Sequence, residues 1–78
     1  MPATYLLTVA ETPDRSGRFS VTHDGVVLVH ASVTPTWDAA HALLENGASP
    51  KDRVEFRYDG TLIGAGSVAT AARLPGRR

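Results

Sequence analysis

Apolar and polar residues alternate from Thr4 onward, with Tyr5, Leu7 and Val9 set between more polar neighbours, the two-residue period of a half-buried strand over 4–10. Thr12-Pro13-Asp14-Arg15-Ser16-Gly17 then reads as a polar loop. Two further strands are expected over 18–23 and 26–33, joined by Asp24-Gly25. That pair suits a two-residue type I′ turn, because glycine takes positive φ freely and aspartate tolerates it. A tight turn there sets Val21 opposite Leu28 and Phe19 opposite His30. Phe19, Val21, Val26 and Leu28 are then expected on the core face, with His30 beside them. Ser20, Thr22, Val27 and Val29 fall on the other face, which is half apolar and so not explained by solvent alone.

The period then changes. Thr34 suits a helix N-cap, Pro35 the first helical position, and Asp38 the positive end of the helix dipole. Gly47 supplies a left-handed terminator and Pro50 prevents resumption. Trp37, Ala40, Leu43 and Leu44 share one stripe of that helix, which is expected to face the core. A second Asp-Gly hairpin follows, 53–58 and 61–65 around Asp59-Gly60, with Val54, Phe56, Tyr58, Ile63 and Ala65 on one face and Arg53, Glu55 and Arg57 on the other. Residues 67–73 fit a short closing helix capped by Ser67 and stopped by Pro75. The expected fold is α+β, in the order β-β-β-α-β-β-α, an antiparallel-rich sheet with one main helix across one face. Residues 1–74 form one domain, and 75–78 read as a frayed basic tail. The pattern leaves the strand order open, a β-grasp-like arrangement included.

Composition narrows the chemistry. A chain of 78 residues has room for one domain with a thin stability margin. It has no cysteine, so disulfides, thiolate zinc sites and thiol nucleophiles are excluded. Formal net charge is zero, which gives no general pull towards nucleic acid or an anionic membrane. No apolar run approaches the ~20 residues that span a bilayer, and the first ten residues lack the form of a signal peptide. The reading is a cytoplasmic protein. Lys51 is the only lysine, and with the Ala-, Gly- and Val-rich composition this points to a GC-rich bacterial genome.

Several residues are candidates for chemistry. Gly64-Ala65-Gly66-Ser67-Val68-Ala69 matches the glycine pattern of a dinucleotide-binding turn, but no second strand and no ribose-binding acid follow it. A flexible exit into a capped helix is the simpler reading. Asp38, His41 and Glu45 share one helix edge, where two carboxylates would favour an imidazolium; no nucleophile can be placed beside them. His23, His30 and His41 show no compact ligand spacing, and neither a metal nor a cofactor is called for. Trp37 reads as core rather than as an anchor for a partner. Arg53 and Arg57, with Arg73, Arg77 and Arg78, could touch phosphates, although Glu55 interrupts them and no aromatic residue is expected beside them.

From Ser32 a pattern runs through Pro35, Asp38, Ala39, Ala40, Leu43, Leu44, Gly47 and Pro50, followed by a hairpin ending at Gly60 and the pair Ala71-Ala72. It resembles a group of short uncharacterised bacterial proteins of unknown function, over a little more than half the chain. That group has no assigned activity, so the resemblance implies no functional residue. The leading expectation is a non-enzymatic binding or adaptor domain acting through protein contacts, either with an unknown partner or as a homodimer. Its expected surface is Ser20, Thr22, Val27 and Val29. The alternative is nucleic-acid binding through Arg53, Arg57 and the basic tail. A small hydrolase or ligand-binding domain built on His41 and Asp38 ranks third.

Overall fold

A computed structural model describes residues 2–73. Its elements are β1 (Thr4–Glu11), β2 (Phe19–His23), β3 (Val26–Ser32), α1 (Pro35–Glu45), β4 (Arg53–Tyr58), β5 (Thr61–Ser67) and α2 (Val68–Arg73). This is the α+β order expected from the sequence. The expected tail, 75–78, lies outside the described residues. The strands form one sheet in the order β3-β2-β1-β4-β5. Neighbours run antiparallel except at the centre, where β1 and β4 are parallel from Thr4↔Arg53 to Val9↔Tyr58.

Both helices lie on one face of the sheet. The α1 helix packs on β3 and β2, the shorter α2 on β5 and β4, and the two helices pack against each other. Leu7, Val9, Val21, Val29, Val54 and Phe56 project from the sheet into the core. They meet Ala39, Ala40 and Leu43 of α1 and Val68 and Ala71 of α2. Alanines at those α1 positions let the helix sit close to the strands. Leu43, rather than Leu44, is the large buried side chain of α1; Leu44 and Trp37 are only half-buried.

Local chemistry explains where the elements stop. Asp24 and Gly25 have φ of 51° and 80°, and Asp59 and Gly60 have 53° and 80°, the paired positive φ that a type I′ turn requires. At the end of α1, Gly47 has φ 97°, its N–H donates to the Leu44 carbonyl, and the Ala48 N–H donates to that of Leu43. This is a complete Schellman motif, and Ala48 tucks against the core as such motifs favour. At the start of α1 the Thr34 side chain makes no capping bond. Instead Ser32 Oγ accepts the Thr34 N–H at 2.9 Å and donates to the Asp38 carboxylate, which draws the strand end and the first helical turn together. Ser67 caps α2 as expected, accepting the Thr70 N–H at 3.1 Å.

The first hairpin corrects the expected register. Val21 pairs with Val29 rather than Leu28, and Phe19 pairs with Ser32 rather than His30. Two irregularities cause this. One lies next to Leu28, and the second uses Ala31 at φ 46°, a left-handed residue inside a strand. Each extra residue reverses the facing of the residues beyond it. Val29 is therefore a core residue, 6% exposed, and not part of an outer surface. Val26, expected in the core, is 61% exposed, Leu28 is half-buried, and His30 is exposed.

Replacing Leu43 with Ala is expected to cost about 2–5 kcal/mol in urea unfolding, and Leu44→Ala clearly less. Val29→Asp, which places a charge in the core, is expected to abolish cooperative unfolding.

Candidate functional site

With both helices on one side, no layer covers the other face of the sheet among the described residues. Pairing aligns its residues into rows. One row runs Val27, Thr22, Thr8, Arg57, Leu62 across all five strands, and a second runs Leu6, Glu55, Ala65. Leu6, Val27 and Leu62 are exposed at 57%, 43% and 48% on this face. Between them stand small residues: Thr4, Thr8 and Ala10 of β1 are exposed, while Thr22 and Ser20 of β2 are half-buried. Ser20 Oγ lies 3.3 Å from Thr12 Oγ1. Arg53, Glu55 and Arg57 are the charged residues of β4 here, and Arg57 Nη2 meets Glu55 Oε1 at 3.4 Å.

Three of the four surface residues expected from sequence, Ser20, Thr22 and Val27, lie on this open face, and Val29 does not. Sequence reasoning missed Leu6, Thr8 and Leu62. For Leu6 the signal was present, since it follows the wrong parity of a strand whose Leu7 is buried. For Thr8 and Leu62 the signal appears only when strand order is known, because they meet through Arg57.

The helix-edge constellation does not assemble. The Asp38 carboxylate takes hydrogen bonds from Ser32 and, at 3.4 Å, from Thr34. His41 turns away, its Nε2–H donating to the Ala72 carbonyl at 3.1 Å while its ring stacks on Trp37 at 3.9 Å between centroids. Glu45 is exposed at the far end of α1. Here His41 joins the two helices. His23 packs edge-on to Tyr5 at 5.3 Å. No cluster of three His, Asp or Glu residues suited to a metal occurs among the described residues. Gly64 and Gly66, of the glycine-rich match, are strand positions opposite Phe56 and Val54.

On the helix side, the N-terminal end of α1 stops short of covering the sheet. Val9, Phe19, Pro35, Thr36, Tyr58 and Ile63 line an open apolar cleft of about 420 Å³ there. Phe19 and Tyr58 meet edge-to-face across it at 6.2 Å. Ile63 lies on this side as expected, and the β4–β5 register shift between Phe56 and Arg57 makes it an extra residue. The shift sets Gly64 opposite Phe56 and turns Ala65, expected in the core, to the open face opposite Glu55.

One buried carboxylate was not anticipated. Asp52, 8% exposed, accepts the Ala3 N–H at 3.0 Å, the Ser49 N–H at 2.9 Å and the Tyr5 hydroxyl at 3.4 Å. Its own carbonyl accepts the Val68 N–H at 2.7 Å. The backbone donors of Ala3 and then Ser49 outweigh its desolvation and hold its pKa below the usual aspartate value. Every bond ends within the chain, so this is a structural clasp rather than a reactive acid.

The chain matches no family model, no curated protein and no solved structure. Among the described residues no helix is long and apolar enough to cross a membrane.

Because the native pKa of Asp52 lies below its unfolded value, its contribution is complete above the ordinary aspartate range near ~3.9 and is lost as pH falls through the native value. Asp52→Asn is expected to unfold at lower urea than the parent at neutral pH. The two urea midpoints should converge as the pH is taken below the ordinary aspartate value and through the lower native one, where the parent carboxylate protonates.

Proposed function

We propose that the chain is a non-enzymatic binding domain that acts through protein contacts, pairing with a second copy of itself across the open face of its sheet. The observation that carries this reading is a five-stranded sheet covered on one side only, with Leu6, Val27 and Leu62 exposed on the other. Three physical considerations support it. Small domains often complete their stabilisation by association. A zero formal net charge leaves no overall repulsion between copies. Glu55 and Arg57, two positions apart on one strand, can exchange partners under a two-fold rotation, so the surface is self-complementary.

The surface in this reading is Ser20, Thr22 and Val27 of the first hairpin, extended by Leu6, Thr8 and Leu62. Nucleic-acid binding through Arg53 and Arg57 has less support, because Glu55 already engages Arg57. The rings of Tyr5, Phe19 and Tyr58 also stand on the helix side, away from those arginines. Composition alone supports a bacterial setting.

Sedimentation equilibrium at micromolar concentration is expected to give twice the 8.3 kDa chain mass. Thr8→Arg, an exposed change at the centre of the face, should weaken association about tenfold or more without lowering the unfolding midpoint. A parent chain that stays monomeric at submillimolar concentration would sink the reading, as would a Thr8→Arg variant that dimerises unchanged.

A further inference from the structure

The sheet has two edges, and they differ. On β3 the pairing with β2 breaks twice, and Ala31 is held at φ 46°, so this edge cannot present an even ladder. On β5, Gly64, Ala65, Gly66 and Ser67 pair without interruption with Phe56, Glu55, Val54 and Arg53. No charge and no proline lies in that stretch. Charge and proline are usual devices that stop a strand from adding to an edge, and 64–67 lacks both; the register shift of β5 lies before this stretch, at Ile63.

The same stretch carries a vacancy. Gly64 and Gly66 pair with Phe56 and Val54, both buried, so they face the helix side. Glycine inside a strand is destabilising, and it commonly marks a place that another group approaches. Nothing among the described residues requires glycine there. Neither residue needs positive φ, a Cβ on Gly66 would meet nothing within 4 Å, and one on Gly64 would meet only Phe56 Cδ2 at 3.9 Å. Above them is a cavity of about 190 Å³, bounded by Thr36, Val54, Phe56, Thr70 and Ala71, with no charged side chain among the described residues that line it. Ile63 and Thr36 line both this cavity and the larger apolar cleft.

We propose that β5 accepts an extended segment of another protein as a sixth strand, with large uncharged apolar side chains at alternate positions filling the space above Gly64 and Gly66. Backbone N–H and C=O groups along an edge call for an extended backbone, which identifies the ligand as a polypeptide strand. The two-residue period of that strand sends every second side chain to the helix side, next to the glycines. The uncharged lining selects apolar side chains, since a charge would be desolvated there without a partner. A second copy of β5 is the poorer occupant: it would bring glycine beside glycine and leave the space empty. This edge is separate from the open face, so it does not depend on self-association.

The test uses the ¹⁵N-labelled full chain and a short, blocked synthetic peptide of alternating leucine and threonine, against a control with glycine for every leucine. The leucine peptide is expected to give saturable amide shifts centred on 64–67 and slowed hydrogen exchange along β5. The glycine control should bind about tenfold more weakly or worse. Gly66→Val, a residue that strands favour, is expected to keep the parent unfolding midpoint or raise it while losing about tenfold in peptide affinity, because its side chain occupies the space. Thr8→Arg should bind the peptide like the parent. The proposal is overturned if the leucine peptide shows no saturable binding at millimolar concentration, if the glycine control binds equally well, or if a folded Gly66→Val variant binds as the parent does.

Discussion

Everything in the fold depends on the parallel seam between β1 and β4. The other strand pairings connect neighbours in the chain, two of them through two-residue turns, and each can form locally. The seam instead joins segments far apart in sequence; the Ala3–Asp52 bond spans 49 positions. Closing so large a loop is entropically costly, and the contacts made there must offset it. Asp52 concentrates those contacts. Its carboxylate holds the start of β1 and the turn after α1, its carbonyl holds the start of α2, and the Arg53 N–H donates to Ala3 at 2.8 Å. Two half-sheets and two helices meet at this one residue. The α1–α2 contact, with His41 bonded to Ala72, ties the same halves together on the helix side.

Sequence reasoning recovers the features set by local chemistry. Asp24-Gly25, Asp59-Gly60, Gly47 and Ser67 each specify a backbone geometry within a few residues, and each appears where expected. The features it misses are set by tertiary packing. Nothing in the run Val26-Val27-Leu28-Val29 says which valine is buried, because every member suits a strand and none is polar. Two bulges in the pairing of β2 and β3 decide it. Asp52 sits in Ser-Pro-Lys-Asp, which reads as an ordinary polar turn; its burial comes only from β1 returning beside β4.

The candidate surface was legible in part for the same reason. The apolar surplus expected on the outer face of the first hairpin reduces to Val27, because Val29 turns into the core, while Thr22 and Ser20 do face outward. The extent of the face required strand order, which brings Leu6 and Leu62 from two other strands into register with them. Conversely, residues that chemistry made conspicuous are occupied in fastening α1, Asp38 to β3 and His41 to α2, with Trp37 stacked on His41. Of the four polar side chains on the main helix, two, Asp38 and His41, hold neighbouring elements.

The irregularity of β3 also governs how far the sheet can grow. A fibril needs two compatible edges on every molecule, so that each added copy offers a fresh template to the next. Here one border is kinked twice and its left-handed alanine interrupts any continuing ladder. Growth by strand addition therefore ends after a single step. The bulges that obscured the register thus act as a chain terminator: they let the molecule leave its other border open for a finite complex without seeding polymerisation.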